Sequence, residues 1–165
     1  MLSNTYRQAS SAMSPPTRAD GTSALEIDAS NQLYWRQNRR RLEFESMRDA
    51  MLAAAGSSEP TIGGRSVKLS SDPHPTRRTV YAYVDRVEPD PIFATFDVPS
   101  PDVSSAQRTE TLVPQQALFA MNNPLVTQQA RAMVAQPEFQ AAKEDSDKIE
   151  FLVKRVLQRS ARPGE

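Results

Sequence analysis

Three neighbouring arginines, Arg39, Arg40 and Arg41, follow Tyr34 and Trp35, and cations beside aromatic rings are the raw material of a phosphate-contacting, base-stacking surface. The acids Glu43, Glu45 and Asp49 come directly after them. On one helix Arg39 with Glu43 and Arg41 with Glu45 fall at i,i+4 spacing, so pairwise neutralisation is favoured over nucleic acid. Glu45, Arg48 and Asp49 lie near the small residues Ala50 and Ala53 to Ala55, which lets them turn inward and meet Arg77 or Arg78 in a partly buried ion network. Carboxylates for acid–base work are plentiful at Asp85, Glu88, Asp90, Asp97 and Asp102, but a hydrolytic pair needs a separation of roughly 5 to 9 Å that sequence does not fix. His74 stands between two prolines and reads as an exposed surface residue. GGRSV at 63–67 lacks the Lys-Ser/Thr of a phosphate loop and reads as a turn.

Composition removes further classes. The chain has 165 residues, 20 basic against 20 acidic, and no cysteine, so disulfides, thiolate metal sites, a cysteine nucleophile and covalent haem attachment are excluded within it. A single histidine excludes a multi-histidine metal centre. Sixteen of the 20 cations are arginine, which suits bidentate pairing with carboxylates. Leu, Ile, Val and Phe total 32 of 165, which predicts a modest core. No apolar run reaches the roughly 18 residues of a membrane span, and no secretory signal pattern opens the sequence.

The elements that must position these groups are mainly helical. Residues 1–24 read as a loop or arm, with Tyr6 as its anchor, and residues 25–165 as a single domain. A helix is expected from Ser30 or Asn31 to Gly56, with Leu33, Tyr34, Leu42, Met47, Ala50, Met51 and Ala54 as its apolar stripe and a break near Asn38. The alternation in 78–86 predicts a strand, and SVKL at 66–69 a short extended piece that can pair with it as a small hairpin. Asp90-Pro91 is an N-cap and N1 pair for a short helix, and 97–110 is loop. Pro114 and Pro124 each open a helix, the second burying Leu125, Val126, Ala130, Met133 and Val134, and Pro137 closes or restarts it. A last helix, capped at Asp145 or Ser146, carries Ile149, Leu152, Val153, Val156 and Leu157. Met47, Met51, Met121 and Met133 fall at apolar helical positions and read as core filler. The fold class is therefore mainly α, an irregular helical domain with one or two short β segments and long Pro-rich loops.

Seven segments taken in order resemble a known family: LSNTYRQAS (2–10), NRRRLEFESMRDAML (38–52), GG and SV (63–67), RRTVYAYVDR (77–86), FATFDVPSP (93–101), Arg108 to Thr111 as R-x-x-T, and VPQQALFAMNNPLVTQQA (113–130). RRLE and PQQAL are the most specific. The chain is similar to the planctomycete-specific domain of unknown function that lies C-terminal in proteins beginning with a planctomycete cytochrome c domain. That resemblance implies a fragment of the domain, truncated at both ends, in an extracytoplasmic multidomain parent. Haem c is then expected only in a separate upstream domain, with no cofactor in this chain.

The resemblance supplies no catalytic residue set. The leading expectation is a non-catalytic interaction or scaffold module whose partners are other domains of the parent protein or a separate protein, with carbohydrate a further candidate. The alternatives are a hydrolase-like carbohydrate-active domain in which Glu45, Arg48, Arg78 and Asp97 converge, and anionic-ligand binding through Arg39 to Arg41. The residues singled out as structural or ligand-contacting are Arg40, Arg41, Glu43, Glu45, Arg48, Asp49, Arg77 and Arg78. Asp97, Gln115, Gln116 and Asn122 complete the set. No catalytic, metal or cofactor residue is assigned.

Overall fold

The computed structural model describes residues 3–4, 7–10, 15–162 and 164. Tyr6, the expected anchor of the arm, lies outside the described residues. The chain divides into two compact units, Met1–Arg41 and Leu42–Glu165. The architecture is mainly helical, with isolated β-bridges and no sheet among the described residues.

In the first unit, the one-turn helix α1 (Ala24–Ile27) is closed by a reciprocal capping box in which Ser23 accepts from the Glu26 amide and Glu26 accepts from the Ser23 amide. The long helix expected from Ser30 does not form there. Asp28 captures the backbone amides of Gln32 at 2.9 Å and Leu33 at 2.7 Å, and Asn31 and Tyr34 take left-handed φ values of 58° and 54°. The Asn31 amide, almost fully buried, donates to the Arg36 carbonyl and the Asn38 side chain and accepts from the Arg36 amide. Short polar side chains thus compete with the helix for the backbone. Leu33, Tyr34 and Leu42, assigned to the apolar stripe, are exposed.

In the second unit the helix survives as α2 (Phe44–Ala54). Its end was legible: Gly56 at φ 71° follows the Ala55 cap, and the Ser57 and Gly56 amides donate to the Leu52 and Ala53 carbonyls in a Schellman arrangement. The buried face is Phe44, Arg48, Leu52 and Ala55, while Met47, Met51 and Ala54 flank it and Ala50 is exposed. Phe44, Leu69 and Phe93 form the core, with Phe96, Phe119, Met47 and Val98 packed on it. The Phe44 ring lies 4.9 Å from that of Phe96, and Phe96 meets Phe119 edge-on at 5.2 Å.

The strand expected over 78–86 is replaced by a single 3₁₀ turn, Thr79–Tyr81, which packs against α2. The alternation is inverted by this turn: Thr79 is buried and Val80 is exposed. Val67 does pair with Ala82, but as an isolated parallel bridge and not a hairpin. The proline-led elements appear as read: α3 (Pro91–Thr95) with Asp90 accepting from the Ile92 amide, α4 (Pro114–Asn122), α5 (Pro124–Val134) and α6 (Pro137–Ala141). Pro137 restarts a helix. In α5, Ala130 is exposed and Gln129 takes its place inside, because the Ser57 hydroxyl supplies a hydrogen bond to its Oε1. α7 (Asp145–Leu157) begins after Glu144, one residue before the expected cap. Gln136 and Arg155 reach the Ala54 carbonyl at 3.0 and 2.9 Å, which satisfies the free carbonyl end of α2 and places a cation on its negative pole. No helix among the described residues is long and apolar enough to cross a membrane.

Candidate functional site

Arg48 sits one helical turn from both Phe44 and Leu52 on the inner face of α2, and its side chain is only 1% exposed. Burial pushes its guanidinium below its ordinary range, opposed by the Asp49 charge. What keeps it inside is a set of acceptors on residues 75–79. Nη1 donates to the Arg77 carbonyl at 2.9 Å and to Thr79 Oγ1 at 3.1 Å, and Nη2 donates to the Pro75 carbonyl. Asp49 completes the clasp, accepting at 2.7 Å from both the Thr79 amide and the Thr79 hydroxyl. Arg78 reaches Asp49 at 3.5 Å but stays 62% exposed, so the buried member of the network is Arg48. Arg77 turns the other way. Its fork donates to the Arg65 and Gly63 carbonyls and stacks 4.2 Å over Tyr81, fixing the Gly63-Gly64 turn.

Glu45 finds a partner that sequence reasoning missed. Arg108, in the loop after α3, makes a bidentate pair with it at 2.8 and 2.9 Å and lies 3.5 Å from Glu43. The hydrogen bonds from Arg108 hold the Glu45 carboxyl below the usual range, against desolvation. The i,i+4 pairing of Arg39 with Glu43 and Arg41 with Glu45 has no helix to rest on, because α2 begins at Phe44. Arg40 and Arg41 are exposed, ahead of that helix. Asp97, at φ 55°, accepts from the Thr111 amide at 2.7 Å and from its hydroxyl.

Among the described residues, cavities lie on two sides of α2. One, of about 430 Å³, is lined by Glu43, Glu45, Asp49, Arg78 and the apolar residues Val80, Phe93 and Val98 among others. The other, of about 580 Å³, lies between the α2 face and α3, α4 and α5. Arg48 and His74 line it beside Phe44, Leu69, Phe119 and Leu125, and Gln115, Asn122 and Asp90 add polar groups. Glu45, Arg48, Arg78 and Asp97 are therefore not brought to one cleft: Glu45 and Arg78 face the first cavity, Arg48 the second, and Asp97 neither. Gln116 is buried and donates to the Thr95 carbonyl at 2.9 Å. His74, expected at the surface, is half-buried with Nδ1 enclosed and unpartnered, because the chain around Pro75 folds back onto Arg48. Met121, assigned to the core, is 76% exposed. Among the described residues no group of three or more His, Asp or Glu is placed to hold a metal ion.

The whole length of this arrangement falls within one family, PSD1, described as a protein of unknown function (DUF1553), which matches residues 1–165. The chain belongs to the PSD1 family. No curated protein and no solved structure matches it. What the PSD1 chain displays, then, is an ion network whose hydrogen bonds run mainly to backbone and to one another, beside a cavity of ligand size with mixed lining.

Proposed function

We propose that this PSD1 domain is a non-catalytic interaction module of a larger extracytoplasmic protein that also carries a cytochrome c-like domain, docking against other domains of that parent or a protein partner. Haem c in that arrangement belongs to the separate upstream domain. The observation that carries the reading is α7. Thirteen residues long, it buries none of them completely, and Ile149, Val156 and Leu157 on its apolar side stay 37%, 53% and 54% exposed. Ile149, Val153 and Val156 recur at helical spacing on one side, and an amphipathic helix with that side half open is suited to a further surface. The commitment of Arg48, Asp49, Arg77 and Asp97 to loops of the same unit, and of Arg108 to Glu45 on α2, supports a structural role for the charged residues.

Amide hydrogen exchange tests this reading by comparing the 165-residue chain with the full parent protein. Slower exchange across α7 in the parent is the expected result, because a docked face opens less often. Equal rates along Ile149 to Leu157 in the two would overturn it.

A further inference from the structure

We infer that two adjoining cavities of the second unit form one docking groove for an extended peptide of a partner protein. The peptide places an apolar side chain in the 580 Å³ cavity and a basic side chain, two residues along, in a smaller one of about 310 Å³. This goes beyond the docking of α7 and rests on other residues, so either can fail while the other stands. The first ground is continuity. Ser70, Asp90 and Pro91 line both cavities, which therefore meet at a common wall. Side chains i and i+2 of an extended chain point the same way about 7 Å apart, a spacing that lets one peptide enter both.

Charge decides what enters the smaller cavity. Its charged lining is Asp85, Glu88, Asp90 and Lys68, three carboxylates against one ammonium. Lys68 is committed within the wall: its Nζ lies 5.9 Å from the centre of the Tyr83 ring, and its charge favours the ionised form of Asp85. Asp85 serves its own loop, accepting from the Val87 and Glu88 amides at 2.9 and 3.3 Å. Glu88 is exposed, and its carboxylate has no hydrogen bond or ion pair among the described residues. Asp90 gives one oxygen to the Ile92 amide and keeps the other. Two negative charges thus remain for a cationic side chain, and the Tyr83 ring, 44% exposed, offers apolar surface to its stem. The larger cavity suits the apolar neighbour, with Phe44, Leu69, Leu118, Phe119 and Leu125 as its wall. Arg48 adds no free charge there, since its guanidinium is buried and lies 3.8 Å from Asp49. The exposed carboxamides of Gln115 and Asn122 can donate and accept at once, as the backbone of a peptide requires.

Backbone amide NMR of the whole chain tests the groove with the blocked peptide Gly-Phe-Gly-Arg-Gly, with its variants carrying Glu for Arg or Ala for Phe, and with phenethylamine. The Phe-Gly-Arg peptide is expected to move the Leu118 and Tyr83 amides together with a Kd of about 1 mM or tighter, and each of the other three to bind at least about tenfold more weakly. Glu88→Lys, at an exposed position without side-chain partners, removes the preference for Arg over Glu. Leu118→Trp, at a half-exposed position, crowds the larger cavity and weakens the Phe-Gly-Arg peptide by a similar factor. Equal affinity for the Arg and Glu peptides, or a preference that Glu88→Lys leaves unmoved, would overturn the charge assignment. Phenethylamine binding as tightly as the peptide would overturn the assignment to a peptide. A Tyr83 amide that stays fixed while Leu118 moves would overturn the continuity of the groove, and both fixed up to about 10 mM would overturn the site.

Discussion

The same clasp occurs twice among the described residues of the second unit, and the two copies sit in different surroundings. Asp49 accepts from the amide and hydroxyl of Thr79, and Asp97 accepts from the amide and hydroxyl of Thr111. Thr79 is 3% exposed and has the buried Arg48 guanidinium on its oxygen, whereas Thr111 lies at the surface. An arginine stands near each. Arg48 donates to neutral acceptors in the interior, while Arg108 pairs bidentately with Glu45 and adds to the field around Asp97. Identical hydrogen bonds therefore hold two loops with different force, because water competes for one set and not for the other.

Substitutions that remove one partner at a time break the comparison in a predicted order. Arg48→Met is expected to cost about 3–5 kcal/mol in urea unfolding, since it strips donors from the Pro75 and Arg77 carbonyls and from Thr79 at once. Thr79→Val follows at about 1–3 kcal/mol, leaving Asp49 and Arg48 short of a partner inside the protein. Arg108→Ala is expected to cost about 1 kcal/mol, the upper end for a partly exposed pair with bidentate geometry. Thr111→Val and Arg78→Ala come last, each within about 0.5 kcal/mol, because their groups face solvent.

Acid sharpens the contrast. Arg108 holds the folded Glu45 carboxyl below its unfolded value, so the stability it adds is complete above about pH 4.3 and is lost as pH falls through the lower folded value. The difference in urea midpoint between the unchanged chain and Arg108→Ala should shrink in that window. The penalty of Arg48→Met should fall less there, because two of its partners are backbone carbonyls that do not titrate.

The legible parts of this fold are those written in local chemistry. Pro91, Pro114 and Pro124 each sit at a first helical turn, and Gly56 ends α2, because fixed φ and freedom at positive φ act within a few residues. The helix expected through Asn31 and the strand expected through Thr79 failed for one shared reason. In each a carboxylate took backbone amides, Asp28 from Gln32 and Leu33, and Asp49 from Thr79, and neither capture is encoded in periodicity. Among the site residues, the inward network of Arg48 and Asp49 was readable from the small residues around them. Its buried centre had a subtler signal: Arg48 is four residues from Phe44 and four from Leu52, the spacing of a core position. Arg108 and His74 carried no such local mark, since their partners and walls lie tens of residues away.

The most direct test of the account is amide exchange at Thr79 and Thr111 in the full chain, with and without Arg108→Ala. Thr79 is predicted to exchange only with the most protected amides of α2, and Thr111 far faster, with Arg108→Ala accelerating Thr111 and leaving Thr79 unchanged. A Thr79 amide that exchanges as fast as Thr111 would contradict the claim that the buried arginine, and not the clasp alone, anchors residues 75–79 to the helix.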